Sequence, residues 1–380
     1  MPYTVAFLSK FPPLEGGIAA KTYWSARGLA NRGHKVHVIT DALEAGREYR
    51  IADNGDHLAD IPNLWVHRPD RQVPWHTPED EERTLMLLEL SISVIQEEGV
   101  EVLDTGYLVP YGIIGHAAKM STDVRHVIRH GASDLEKFLK PGILGRTLHG
   151  AIAGADATVT DKRYGQLLKP MSSSLYHQPA YVPDPAVFRP SHEKGRRLHL
   201  ASVGKVNYYW RHKGLDSIAA IMGELEGQIE CSVIGQGKGL SAFQDSLSGK
   251  TASRINWRPF VAPWEMPGLL NQLDAVFVFE SGLPYPSVSN LVLEALCCGV
   301  GVITDRPDFA DTYRDILTLD DSQVLVVPPS EPAAAAGMIV EWVASRADLR
   351  KPSRPLVSFE EYLAANEALY ERVLTRDPSN

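Results

Sequence analysis

Glu294 is the most informative residue in the chain. It lies in Ser289-Asn290-Leu291-Val292-Leu293-Glu294-Ala295-Leu296-Cys297-Cys298-Gly299, which reads as a capped helix with a glycine stop, followed by the buried run Gly301-Val302-Ile303-Thr304. Most acids on an otherwise apolar helix face water. This one stands about a turn and a half in, among Leu, Val and Ala, and can reach back over the helix start. Ser289 is expected to cap that start by accepting from a first-turn N–H. The amides and the dipole there attract an anion. A phosphate with a hydroxylated sugar beside it suits both the amides and the carboxylate. The simpler alternative is a carboxylate that only caps or salt-bridges.

Three other constellations carry possible chemistry. Phe11-Pro12-Pro13-Leu14-Glu15-Gly16-Gly17-Ile18 puts two glycines at a helix start, where a ligand can approach the backbone closely. A plain turn would read the same way, and the spacing is not that of a dinucleotide fingerprint. Gly204-Lys205-Val206-Asn207-Tyr208-Tyr209-Trp210-Arg211-His212-Lys213-Gly214 gathers Lys205, Arg211, His212 and Lys213 after a strand. Such cations can neutralise a diphosphate and stabilise it as a leaving group; the alternative is a solvated basic loop. Arg129-His130-Gly131-Ala132-Ser133-Asp134 follows another strand, so His130 could orient or deprotonate a hydroxyl, or be structural. His126 and His130 share no ligand face on a strand, and no Asp-x-Asp occurs, so no metal site is expected.

The elements that must position these residues alternate. Strands are expected at Val5–Leu8, Val36–Ile39, Leu64–Val66, Val100–Leu103, His126–Ile128 and Ala157–Val159, with helices at Ile18–Asn31, Glu79–Glu98 and Leu144–Ala153. Tyr181-Val182-Pro183-Asp184-Pro185-Ala186-Val187-Phe188-Arg189-Pro190 interrupts the pattern with three prolines. The alternation restarts with strands at Leu198–Gly204, Cys231–Gly235, Ile255–Trp257, Asp274–Phe279 and Gly301–Thr304. An isolated amphipathic helix, Phe359 to Thr375, closes the chain, with Tyr362, Leu363, Leu369, Tyr370 and Val373 as its apolar face. This predicts two doubly wound parallel-sheet domains: residues 1–183, a linker at 184–190, and residues 191–358, with helix 359–380 crossing back. In such sheets ligands bind beyond the strand carboxyl ends, here in the cleft between domains.

The bulk numbers bound the rest. A chain of 380 residues, 44% hydrophobic and 22% charged, fills two cores. The formal charge of −9 argues against a nucleic-acid partner. Three cysteines in apolar contexts suit a reducing compartment, and the N-terminus enters a strand without a targeting segment, so a cytoplasmic location is expected. Lys137, Lys140 and Arg146, with Phe138, Leu139, Ile143 and Leu144, could rest on an anionic membrane. An ordinary surface helix pair interrupted by Pro141-Gly142 is the favoured reading.

Taken together, five segments resemble the retaining glycosyltransferases of family 4, on the GT-B fold of two Rossmann-like domains facing a cleft. They are FPPLEGGIAAKTYWSARGLANRGHKVHVIT, VIRHGASD, YVPDPAVFRP, SVGKVNYYWRHKGLDSI and SNLVLEALCCGVGVIT. The resemblance implies transfer of a sugar from a nucleotide-diphosphate sugar to a hydroxyl or other nucleophilic acceptor, without metal or further cofactor. It implies that Lys205 and Lys213 match the Arg and Lys that hold the diphosphate. Glu294 matches the Glu on the ribose, His130 the His near the transferred sugar, and Gly16 and Gly17 the loop near the phosphates. Donor contacts are further expected from Arg211 and from Ser287, Val288, Ser289 and Asn290. The acceptor side is placed at Glu15, Tyr107 and Tyr111. The acceptor itself is a small molecule, a glycan or a lipid-linked sugar. The sequence departs from the family at its E-x7-E: Pro286 stands eight residues before Glu294, and Glu280 is out of register. Either the loop bends differently, or Ser287 to Asn290 supply the sugar contacts, or the activity is altered. A sugar-nucleotide epimerase of the same fold and a non-catalytic partner subunit are the alternatives.

Overall fold

The computed structural model describes residues 2–43, 45–51, 60–70, 79–139, 142–191, 198–225, 229–280, 282, 288–346 and 351–376. Ser287, Pro286, Lys140, Pro141 and residues 377–380 lie outside these. Seven parallel strands form the first sheet: β1 (Thr4–Leu8), β2 (Lys35–Ile39), β3 (Leu64–His67), β4 (Val102–Gly106), β5 (Arg125–Arg129), β6 (Ala157–Thr160) and β7 (Leu175–His177), in the order β3-β2-β1-β4-β5-β6-β7. Six more form the second: β8 (His199–Val203), β9 (Glu230–Ile234), β10 (Ile255–Arg258), β11 (Ala275–Val278), β12 (Gly301–Thr304) and β13 (Val324–Val326), in the order β10-β9-β8-β11-β12-β13. Every pairing is parallel. Continuous apolar runs such as Ala275–Val278 are buried on both faces, as central parallel strands require.

The strands expected from sequence are all present, within three residues of their bounds. β7 and β13 were not expected. Each has three residues, sits at a sheet edge and is only partly buried, so neither shows a strong apolar run.

The last helix, Phe359–Thr375, begins with a reciprocal cap. Ser358 Oγ accepts from the Glu361 N–H at 3.1 Å, and the Glu361 carboxylate accepts from the Ser358 N–H at 2.8 Å. All five residues of the expected apolar face are buried, and Asn366 is buried among them. The helix packs on the first domain at Gly28, where an added Cβ would meet Leu363 at 2.8 Å. A polar network fixes it there. Arg129 Nη2 donates to Asn366 Oδ1 at 2.6 Å, and the Tyr370 hydroxyl donates to Asp104 Oδ2 at 2.8 Å. At the rim Arg32 pairs with Glu367 and Glu360.

The two sheets face each other across a cleft, and the domains touch along it. Lys205 packs over Gly16, Asn290 Nδ2 donates to the Gly17 carbonyl at 2.8 Å, and Gln236 Nε2 donates to the Arg50 carbonyl.

Candidate active site

The second-domain wall of the cleft is built where β8, β11 and the Asn290–Cys297 helix present their ends. After β8 the chain turns at Gly204, runs through Lys205, and makes a single 3-10 turn at Trp210–Lys213. Buried Trp210 pins this loop: its Nε1 donates to Asp216 Oδ1 at 3.0 Å and its ring packs against Phe243. The loop thereby turns Lys205 and Lys213 into the cleft. Lys205 Nζ lies 5.0 Å from the centre of the Tyr49 ring, and Lys213 Nζ donates to the Lys205 carbonyl at 3.4 Å. Burial depresses both ammonium groups, Lys205 to about 8, where Lys10 and Lys213 add repulsion and Glu15 opposes it. Arg211 does not join them. Its side chain is 63% exposed, pairs with Asp216 at 3.2 Å and lies on the Trp210 ring. The same turn that aims Lys213 inward sends Arg211 to solvent.

Glu294 lines the cleft and is only 4% exposed. Its Oε1 accepts from the Tyr181 hydroxyl at 2.9 Å, which ties the helix to the residue just before the proline segment. Burial raises its carboxyl to about 8, and the Tyr181 bond only partly offsets this. Ser289 occupies the N-cap position, but its side chain makes no capping bond. Its N–H is taken by the Tyr313 hydroxyl at 3.0 Å, so this amide is not offered to an anion. Val288 packs against the apolar core. Ser289, Asn290 and Leu291 line the cleft beside Glu294.

The first-domain wall carries Lys10, Glu15, Gly16, Gly17 and Tyr107. Gly16 has φ +126°, which favours glycine, and a Cβ there would meet the Lys205 Nζ at 3.1 Å. Glu15 is 1% exposed, and neither of its carboxylate oxygens has a hydrogen-bond partner. Burial raises it to about 8 against the pull of Lys205 and Lys213. Tyr107 holds φ +75°, a sparsely populated conformation for a residue with a Cβ. Together the two walls enclose about 290 Å³.

Two expected residues lie elsewhere. Tyr111 is fully buried and donates to Asp41 Oδ2 at 2.7 Å, so it braces the wall from behind. His130 lines a separate side cavity of about 20 Å³, with Lys21, Asp104 and Arg129. That is room for about one water. Its Nε2 lies 2.8 Å from the Thr160 hydroxyl, and burial lowers it to about 4, so it is neutral at neutral pH. The side cavity and the cleft share Ile18 and Tyr107 as a common wall.

Other residues of the site were not singled out from the sequence. Lys10 directly follows β1, and its position at a strand's carboxyl end was the available signal. Lys21, lowered to about 7 by burial and by Arg129, sits one turn into a helix with no local motif around it. Tyr181 opens the proline-rich interruption just ahead of the 184–190 linker, and nothing in the local sequence announces its bond to Glu294. Glu280 pairs with Arg306 at 3.5 Å and is attracted by Lys213, whereas Pro286 lies outside the described residues. Among the described residues no group of His, Cys, Asp or Glu could hold a metal ion, and no helix is long and apolar enough to cross a membrane.

Residues 197–345 match the family model described as "Glycosyl transferases group 1". No curated protein matches the chain. Among solved structures, a sucrose-phosphate synthase from Thermosynechococcus elongatus superposes with a TM-score of 0.65 at 14% identity, covering 98% of this chain and 96% of that one. The Anabaena protein Alr3699/HepE in complex with UDP gives 0.59 at 13%, covering 98% and 95%. A UDP-N-acetylglucosamine 2-epimerase homologue from Listeria monocytogenes gives 0.60 at 12%, covering 97% and 95%. At such identities these likenesses establish the GT-B fold.

Proposed function

We propose that this chain, whose residues 197–345 match the group 1 family model, is a nucleotide-sugar glycosyltransferase, and that its transfer is retaining, metal-independent and carried by the two cleft lysines. The observation that carries this reading is the convergence of Lys205, Lys213, Gly16 and Glu294 on one cavity between the domains. The donor diphosphate lies against Lys205 and Lys213, beside the start of the Asn290–Cys297 helix. The ribose hydroxyls bond Glu294, which is held in place by Tyr181. The bond between the anomeric carbon and the diphosphate oxygen breaks, and negative charge grows on that oxygen. Two ammonium groups already in place stabilise it without reorganisation. The acceptor hydroxyl attacks from the same face and forms the new glycosidic bond, and its proton passes to the departing phosphate. The two lysines supply the positive charge that a metal would otherwise bring. UDP in the Anabaena complex makes a uridine nucleotide the first donor to try.

Acceptor-dependent release of nucleoside diphosphate, measured in EDTA across donor sugars, tests the reading. Turnover in EDTA that needs an acceptor is the expected result. Activity restored only by Mg²⁺ or Mn²⁺ would remove the metal-independent mechanism. Release of nucleotide without acceptor would favour epimerase chemistry. Donor binding with no turnover on any acceptor would point to a non-catalytic partner subunit.

A further inference from the structure

The cleft holds more positive charge than its donor needs. Three lysines line it: Lys205 and Lys213 from the second domain, and Lys10 from the first. Their contacts are a tyrosine ring under Lys10, another under Lys205 and a backbone carbonyl for Lys213. Among the described residues, Asp41 and Asp134 attract Lys10 from a distance, but each carboxylate is hydrogen-bonded to other groups. Asp41 is bound by Arg83 at 2.7 Å and by the Tyr111 hydroxyl at 2.7 Å. Asp134 accepts the Leu108 and Gly131 N–H groups, both at 3.0 Å. Burial keeps the Glu15 carboxyl largely neutral at neutral pH. Repulsion from Lys10 adds to the burial that lowers the Lys205 ammonium.

A nucleotide-diphosphate sugar carries two negative charges, which Lys205 and Lys213 neutralise. Lys10 is left over, and it stands on the opposite wall, at the carboxyl end of β1. Tyr107 is bent into its φ +75° conformation with its ring 5.5 Å below the Lys10 ammonium. Backbone strain of this kind persists where the surroundings impose it, and here it sets the ring under the cation. We propose that the acceptor carries an anionic group, a phosphate or a carboxylate, and that Lys10 holds this group on the first-domain wall. The proposal rests on the donor reading given above. It narrows the acceptors from any hydroxyl compound to sugar phosphates, sugar acids or phosphate-bearing lipids.

The first test uses inorganic phosphate as the probe. Wild-type protein is saturated with UDP, or with whichever nucleoside diphosphate raises its unfolding temperature, and phosphate is then added. A further rise is expected for wild type and for Lys10→Arg, and none for Lys10→Met, whose response to the nucleoside diphosphate stays as in wild type. Absence of the further rise in wild type overturns the proposal. So does a Lys10→Met that loses nucleoside-diphosphate binding, the outcome expected of Lys213→Met, since Lys10 would then serve the donor. If no nucleoside diphosphate has any effect on wild type, the donor reading itself fails and takes this proposal with it.

The second test reads turnover. Acceptor-dependent nucleotide release is compared for glucose 6-phosphate, glucuronate and glucose, and for phosphatidylinositol against phosphatidylcholine in detergent micelles. An anionic member is expected to be favoured by about ten- to a hundredfold, the range of one charge-assisted hydrogen bond. Lys10→Met should erase that preference. The soluble and micellar arms identify which source of the anion is used. Equal or better turnover on the neutral partner in both arms overturns the proposal.

Discussion

The two walls of the cleft are built in different ways. The polar side chains of the second-domain wall come from two short segments, a loop after β8 and the first turns of one helix, and Phe260, Pro263 and Met266 complete the wall. The first-domain wall is assembled from distant parts of the chain. Lys10 follows β1, Glu15 and Gly16 precede a helix, Tyr107 follows β4, and the side cavity is closed by Tyr362 and Asn366 from the final helix. The first arrangement can be changed one residue at a time without loosening the hold on the final helix. The second couples the site to the fold, because the residues behind it also hold the final helix.

The largest effect should follow from breaking that coupling. Arg129 is buried, bonds Asp104 at 2.8 Å and holds Asn366, while Tyr370 shares the same carboxylate. Arg129→Met leaves the buried Asp104 charge without its counter-ion. Removing one partner of such a pair costs about 3–5 kcal/mol. Chemical denaturation should register this loss, and release of the final helix should raise its amide exchange first. A variant as stable as wild type would show that the first-domain wall does not depend on the network.

The second-domain wall should respond in rate instead. Lys213→Ala removes charge aimed at the departing diphosphate, where charge grows only in the transition state. A loss of two to three decades in kcat is expected, about 3–4 kcal/mol, with the unfolding midpoint close to wild type. Wild-type kcat would mean that Lys213 does not face the leaving group. Glu294→Ala should do less, and differently. Ribose hydroxyls do not change charge during transfer, so their partner contributes uniform binding. KM for the donor should rise about two- to tenfold, the range of one neutral hydrogen bond, with kcat nearly kept. A kcat effect from Glu294 as large as that from Lys213 would dissolve the distinction between the two roles.

The same contrast explains what could be read from sequence. Lys205, Lys213 and Glu294 stand beside glycines, strand ends and helix starts within a few residues, so local pattern is enough to find them. Arg211 fails for the same reason that Lys213 succeeds: spacing on a tight turn fixes two directions, and the sequence does not say which faces inward. Tyr111 and His130 sit in segments that do approach the cleft, but burial turns one against Asp41 and the other into the side cavity. The Ser289 cap was legible as a position. The Tyr313 hydroxyl that takes its amide comes from a helix well downstream, and no local signal announces it. Asn366 reads as a polar interruption of an apolar face until Arg129 is placed beside it.

The comparison sharpens further at Glu294 itself, through pH. Its folded carboxyl titrates near 8, because burial disfavours the charged form; an unfolded glutamate titrates near 4.5. Between those values the unfolded chain releases a proton that the folded protein keeps. The stability contributed by Glu294 is therefore complete below about pH 4.5 and declines as pH rises toward 8, by at most about 1.4 kcal/mol for each pH unit. Other groups obscure this in the raw curve. Glu15, also raised to about 8, declines in the same window. His126 and His130, lowered to about 3 and about 4, add stability as pH rises toward 6.5. Lys21 and Lys205 add it only above about 7 and about 8. The difference between wild type and Glu294→Gln cancels these shared terms. Glutamine keeps an acceptor for Tyr181 but cannot ionise, so the variant should gain on wild type steadily from pH 5 to 7.5 and hold a constant offset above about pH 8.5. Unfolding temperatures measured in parallel across that range decide it. A constant offset from pH 5 upward would mean that Glu294 ionises in the folded protein as it does in water, and that the second-domain wall presents a fixed negative charge to the donor.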